Sequence, residues 1–413
     1  MADYGSRRRF TAVRLLLVLT EFPPSIGGMQ THAIHIAHYL HGLGHAIEVV
    51  TYRARHPVEA AAFDRTLPFP VHRILSRLSH HHNLRLVAGF KGFDAIYAST
   101  VYYGLLGDRI PVYCRSAGND LMRPWIAYPF QRFSSLVAQP WIDGTLYNRF
   151  VKWRRPDFVH AWFRDARFRL MRQALAGNTH VFANSHYTAG ILQDLNYTTY
   201  TVIPGGVDAS EFCPPVGKPE GLVYLTACRL VAKKGIDTFL DAARIVRVHK
   251  PNARFVVVGD GPERRALERA SDGIAEFVGR VPHDEMKRHY WSASCFILPS
   301  RDHVHRRTGL RDVETMGRVL CEANAAGVPV IASRTGGIPS IVQHGYNGLL
   351  TEPGDPAALA AVMLRVADDK SLTARLIANG LDLAKTKFDW PVVLEQQALL
   401  LTAGRKHQTA VSA

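Results

Sequence analysis

The sequence predicts an α/β fold made of two doubly wound, Rossmann-like domains, and three observations carry that prediction. Short continuous apolar strands recur along the chain, glycine turns follow several of them, and 413 residues exceed what one hydrophobic core usually supports. Strands without in-and-out alternation are those buried on both faces of a parallel sheet.

The elements follow in order. RRRFTAVRLLLVLTEFPPS has the outline of a leader, but Arg14 interrupts it, LLLVL is too short, and no small-residue cleavage site follows. It reads as a disordered tail and a first strand from Val13 to Leu19. Gly27 and Gly28 then open a helix to about Leu43, with Ala33, Ile36, Leu40 and Leu43 on one face and HGLGH ending it. AIEVVTY completes a strand, helix, strand unit, and DAIYAST (94–100), IPVYCRSA (110–117) and THVFANS (179–185) supply further strands. The proline and glycine of VIPGGVDASEFCPP mark a linker. A second series comprises GLVYLTACRL, a helix near 235–248, ARFVVVGDG, a helix near 262–271, EFVGRV, SCFILPS and GVPVIAS, and Asp389 is placed to cap a helix over WPVVLEQQALLL. The expected domains are residues 1–205, residues 206–388, and a C-terminal helix and tail over 389–413 packing back toward the first domain. A cleft between the domains, at the carboxyl ends of the strands, is the expected ligand site.

Composition narrows the partners. The chain has 50 lysines and arginines against 35 acids, and residues 1–205 hold 23 basic and 12 acidic side chains, so the front half carries most of the +15 surplus. Such a surface favours anionic partners. Five scattered cysteines without a C-x-x-C pair point to reduced thiols in a cytosolic protein. No apolar run approaches the roughly 18 residues of a membrane span.

The stretch VETMGRVLCEA (313–323) sets Glu314 and Glu322 on either side of Gly317. VLCEANAAG reads as a short helix ended at Gly327, so the amides of Met316, Gly317, Arg318 and Val319 lie at a helix start where an anion fits. A carboxylate on each side of an anion site suits a phosphate carried between two polyhydroxylated groups, the form of a nucleotide sugar. Arg229 and Lys234 follow the strand GLVYLTA and emerge at its carboxyl end, where two cations can neutralise a diphosphate.

Together with GGMQTH (27–32), VIPGGVD (202–208), CRLVAKKG (228–235), VVGDGPE (257–263), EFVGRVP (276–282), GVPVIASRTGGIPSIV and GYNGLL, these residues resemble retaining glycosyltransferase family 4, also called glycosyl transferases group 1, of GT-B architecture. The resemblance implies transfer of a hexose-type sugar from a UDP- or GDP-sugar to a hydroxyl acceptor, in cell-surface polysaccharide or glycolipid assembly, with no cofactor beyond the donor itself. It assigns Arg229 and Lys234 to the leaving diphosphate, Glu322 to the ribose diol, Glu314 to hydroxyls of the transferred sugar, and the amides of Gly317, Arg318 and Val319 to the distal phosphate. Gly27 and Gly28 allow close backbone approach to the donor, and Arg280 and Val281 lie beside the base.

Two positions depart from the family. Where it often has His-Gly-x-Asp, this chain has Ala117, Gly118, Asn119 and Asp120, leaving Asp120 or Arg115 as substitutes, and Ser340 stands where a glutamate is common. No Asp-x-Asp element is present, and neither HHH (80–82) nor His303 with His305 has carboxylates or cysteines at metal-site spacing; both sit in expected loops, so no metal is assigned. The stretch 148–173 interleaves eight basic residues with Phe150, Trp153, Phe158, Trp162, Phe163 and Phe168, a mixture suited to an anionic membrane surface and a lipid-linked acceptor. Three other readings stay open: a nucleotide-sugar epimerase of the same architecture, a basic nucleic-acid-binding protein, and a catalytically silent partner subunit. The ordered glycine turns and paired glutamates favour transfer, with no nucleic-acid partner.

Overall fold

The computed structural model describes residues 12–25, 27–77, 80–122, 168–214, 221–304 and 311–403. They form two compact units, residues 12–203 with 394–403, and residues 204–304 with 311–393.

The first unit is built on β1 (Arg14–Val18), β2 (Ala46–Tyr52), β3 (Val71–Leu75), β4 (Ala95–Ala98), β5 (Val112–Ser116), β6 (His180–Ala183) and β7 (Tyr200–Val202). They pair in parallel in the order β3-β2-β1-β4-β5-β6-β7. Four of the five β1 residues are buried, as an apolar strand central to a covered sheet must be. β2 and β4 lie on opposite sides of β1, so the order reverses there and a crevice opens at the carboxyl ends. The Gly28–Gly42 helix starts just beyond that end of β1 and buries Ala33, Ile36 and Leu40.

The second unit repeats the plan with β8 (Val223–Ala227), β9 (Arg254–Val258), β10 (Glu276–Gly279) and β11 (Cys295–Leu298). After an antiparallel pair, β12 (His303–Val304) with β13 (Arg311–Asp312), come β14 (Val330–Ser333) and β15 (Gly348–Thr351). The parallel sheet runs β10-β9-β8-β11-β14-β15. Strand side chains alternate between two cores: Val223, Leu225 and Ala227 enter one with Val256 and Val258, whereas Tyr224 enters the other with Phe255 and Val257.

The strands expected at 13–19, 46–52, 94–100, 110–117 and 179–185, and all five expected in the second series, form within a few residues of those bounds. The omissions lie at sheet edges. β3 (VHRIL) and β7 (YTV) are mostly half-buried, and β15 is a four-residue edge strand, so none presents a long apolar run. HHH is not a loop; it opens the His80–Ala88 helix, which Asn83 anchors by bonding both Ser76 N and Ser76 O at 2.7 Å. His303 lies in β12. Most of the aromatic-basic stretch, with Arg164 and Arg167, lies outside the described residues, as does His305; Phe168 is half-buried and Arg169 exposed.

Candidate active site

The site is built at the switch point of the second sheet, where β8 is flanked by β9 and β11. The chain leaving β8 makes a tight turn over Ala232–Lys234, and the chain leaving β11 runs through Arg301 and Asp302 into the β12–β13 pair before returning at Val313. Arg301 N donates to Lys233 O at 2.8 Å, which ties the two exits together. Lys233 Nζ then meets Asp312 Oδ1 at 2.8 Å and Val313 O at 3.3 Å. Asp302 accepts from Thr335 Oγ1 at 2.7 Å and from Arg311 Nε at 3.0 Å, fixing the base of the hairpin.

This scaffold brings Lys234 and Glu314 into direct contact, Lys234 Nζ donating to Glu314 Oε2, with both side chains 14% exposed. Burial pushes the Glu314 carboxyl up, and the Lys234 ammonium outweighs it, holding the group below its ordinary value. Burial lowers Lys234 in turn, and Glu314 more than restores it, so the ammonium titrates above its usual range. The pair is a charged couple at neutral pH. Gly336 makes the fit possible: a Cβ there would lie 2.1 Å from Glu314 O, and the next amide, Gly337 N, donates to that carbonyl at 2.8 Å.

Gly317 is in the left-handed region, φ 87°, where a side chain is disfavoured, and it starts the Arg318–Ala325 helix. The amides of Gly317, Arg318 and Val319 donate to no other described residue, so the helix offers the donor set expected of an anion site. Gly327 closes the segment at φ 67°. Glu322 lies inside the helix, only 5% exposed, and three side chains surround its carboxylate. Tyr290 Oη donates to Oε2 at 3.0 Å, while His283 Nε2 and Arg318 Nη2 each lie 3.4 Å from Oε1. Burial raises Glu322, and Arg318, His283 and Tyr290 together bring it below its ordinary value.

Other expected donor residues are more open. Arg229 is exposed and forms no ion pair with a described residue, Arg280 is exposed, and Val281 is half-buried against the core beside Met316. In the first unit, Gly27 O accepts from Thr31 N and Thr31 Oγ1, both at 3.0 Å, and Gly28 opens the helix. Asp120 is engaged by its own turn and by the chain after β4: Oδ1 accepts from Ser116 Oγ at 2.6 Å and Oδ2 from Val101 N at 3.0 Å. Burial raises its carboxyl despite those bonds. Arg115 donates to Ile203 O at 3.0 Å, and burial lowers its guanidinium.

Sequence reasoning missed Lys233, Asp312, His283 and Tyr290. His283 follows the EFVGRVP turn by one residue and could have been noticed there; Tyr290 sits in a six-residue helix with no distinguishing pattern. Among the described residues no group of three or more His, Cys, Asp or Glu could hold a metal ion, and no helix is long and apolar enough to cross a membrane.

Residues 221–369 match the family Glycosyl transferases group 1, and residues 26–211 match Glycosyltransferase Family 4. Over 211 residues, 48% of this chain and 54% of the relative, it is 33% identical to a GDP-mannose-dependent alpha-(1-6)-phosphatidylinositol monomannoside mannosyltransferase of Mycobacterium tuberculosis. The matched region thus spans about half the length of that relative. A glycogen synthase of the same organism is 24% identical over 95% of both chains. In fold, the chain is similar to Anabaena HepE in complex with UDP-glucose, with a TM-score of 0.67 and 20% identity over 95% of this chain and all of that one. With both halves matched in order, the chain belongs to the group 1, family 4 glycosyltransferases and has the GT-B fold.

Proposed function

We propose that this chain transfers a hexose-type sugar from a nucleotide diphosphate sugar to a hydroxyl acceptor, with retention at the anomeric carbon. The observation that carries the reading is the Lys234–Glu314 pair at the switch point, beside a helix start with free amides and Glu322 within that helix. A cation next to a carboxylate, both largely buried, suits a ligand with a phosphate beside vicinal hydroxyls: the cation takes the phosphate and the carboxylate takes the hydroxyls.

In this reading Lys234 and the exposed Arg229 stabilise charge growing on the leaving diphosphate, and the amides of Gly317, Arg318 and Val319 hold its distal phosphate. Glu314 orients the transferred sugar and Glu322 the ribose. The acceptor hydroxyl attacks from the face the diphosphate leaves, and the departing phosphate takes its proton; the protein positions and stabilises without forming a covalent intermediate. Phosphate stabilisation falls to side chains and amides, so EDTA is expected to leave activity intact. Asp120 holds its turn rather than the reacting sugar, since its carboxylate is bonded by a hydroxyl and a backbone amide and not by a cation that a phosphate could draw away.

Relatives that use GDP-mannose and a fold neighbour that holds UDP-glucose support the nucleotide-sugar class. The phosphatidylinositol-based acceptor named for the mannosyltransferase, with the basic front half of this chain, supports a lipid-linked acceptor at an anionic membrane surface and a role in cell-surface glycan or glycolipid assembly. The test is a panel of UDP- and GDP-sugars screened by thermal stabilisation, then by transfer to a lipid-linked acceptor with the product anomer determined. One donor should stabilise the protein and give a product of unchanged anomeric configuration; an inverted product or no nucleotide response would overturn the reading.

A further inference from the structure

Arg318 is placed against electrostatic preference. It is the first residue of the Arg318–Ala325 helix, where the macrodipole is positive and unpaired amides already face outward, so a cation there is disfavoured. Among the described residues its one carboxylate is Glu322, four residues on, in the less favourable order of cation before anion. The contact is long, 3.4 Å to Oε1, and His283 Nε2 shares that oxygen at the same distance while lying 3.4 Å from Arg318 Nη2. Among the described residues, a guanidinium with five donors is therefore held by one carboxylate oxygen and one imidazole nitrogen, both at a distance beyond a good charge-assisted bond.

Glu322 is held firmly on its other side. Tyr290 is fully buried, its ring between Phe212 at 5.8 Å and Phe296 at 5.4 Å, and its hydroxyl fixes Oε2 at 3.0 Å. Exposure falls inward from His283 (36%) through Arg318 (18%) to Glu322 (5%). A ligand reaching Oε1 meets His283 and Arg318 first.

We propose that the Arg318 side chain is a diphosphate-sensing residue that blocks Glu322 in the empty site and releases it when phosphate arrives. The guanidinium turns from Oε1 to the diphosphate, where the helix-start amides already favour an anion, and the freed Oε1 accepts the ribose hydroxyls while Tyr290 keeps Oε2 in place. Recognition of the nucleoside half of the donor thus depends on its phosphates. The proposal rests on the donor-site reading above and specifies how that site discriminates a nucleoside diphosphate from a nucleoside.

The experiment is calorimetric titration of the full chain with uridine, UDP, guanosine and GDP, comparing wild type with Arg318→Gln and Arg318→Lys, each checked for an unchanged melting profile. In wild type, one diphosphate should bind far more tightly than its nucleoside. In Arg318→Gln the diphosphate should weaken at least tenfold while the nucleoside binds as well as or better than in wild type, because Glu322 is no longer covered. Arg318→Lys should lie between, keeping the charge without the planar fork. Equal weakening of nucleoside and diphosphate would make Arg318 a structural support of the helix and overturn the proposal, as would an unchanged ratio. If wild type bound none of the four, the donor site itself would be misassigned; that result would be seen before any variant is considered.

Discussion

The Ser116–Asp120 turn of the first unit and the Glu314–Glu322 stretch of the second both place carboxylates out of solvent, and they satisfy them in different ways. Asp120 is held by a hydroxyl and a backbone amide, forms no ion pair with a described residue, and burial raises its pKa. Glu314 and Glu322 each face a cation, Lys234 and Arg318, and each titrates below its ordinary value. Short neutral donors fixed by the backbone cannot leave, whereas a cation on a flexible stem can change partner. In the proposed reading the first arrangement is an anchor and the second a site prepared for exchange, with hydroxyls and phosphate replacing internal partners.

The largest effect that would sharpen this contrast is expected at Lys234. Lys234→Ala removes a charge from the leaving diphosphate, a loss of about 10²–10³ in turnover if it resembles loss of one oxyanion donor. It also leaves Glu314 largely buried without its counter-charge, at a cost of about 3–5 kcal/mol in stability. Pairing Lys234→Met with Glu314→Gln should restore most of the melting temperature and none of the turnover. If the double variant stayed as unstable as the single one, the ion pair would not be what holds the loop.

Next come the two glutamates. Glu314→Ala should mainly lower kcat and Glu322→Ala mainly raise the donor KM, since one is assigned to the sugar that reacts and the other to the ribose. Wild-type kinetics in both would remove the exchange half of the comparison. Asp120→Ala should behave differently from either, costing about 1–3 kcal/mol because Val101 N loses its acceptor, while donor affinity measured on the folded protein stays unchanged. A loss of turnover at full stability would instead make Asp120 catalytic and dissolve the contrast.

The smallest effect is in acid. Burial lowers the pKa of His38, His45 and His180, with the neighbouring His41 adding to the effect at His38. The unfolded chain then binds protons near the ordinary value of 6.5 before the folded chain does, so these groups cost nothing above that pH and remove stability as pH falls through it. Glu314 and Glu322, lowered below 4.5, keep their contribution further into acid. Urea midpoints between pH 7.5 and 5 should therefore decline, and His38→Gln should flatten part of that decline.

The central strands and the site helix were legible because burial on both faces demands an uninterrupted apolar run, and because Gly317 and Gly327 bracket VLCEANAA. β3 and β7 were not, since an edge strand carrying His72 and Arg73 or only three residues obeys no such demand. The family resemblance assigned Lys234 to a diphosphate and Glu314 to the hydroxyls of a sugar, but their bond to each other could not be read from the sequence. It depends on the β12–β13 excursion that returns the chain beside the β8 exit, a three-dimensional closure without periodicity. Tyr290 illustrates the same limit, because nothing in MKRHYW distinguishes a tyrosine that orients a carboxylate from one that fills a core.

Tyr97 on β4 donates to Gln397 Oε1 at 2.7 Å, a bond between residues 300 positions apart, and residues 394–403 complete the first unit after the whole second unit has intervened. All seven strands of the first sheet leave the ribosome early, while the acceptor for this buried hydroxyl lies roughly 190 residues further on. At about 5–20 residues per second that interval is on the order of ten to forty seconds. For that time the nascent first unit holds an open seat for the closing helix, with Leu394, Ala398 and Leu401 still to be supplied. Its folding thus waits on the synthesis of residues 394–403, and a ribosome stalled within the second unit would leave the first one unfinished.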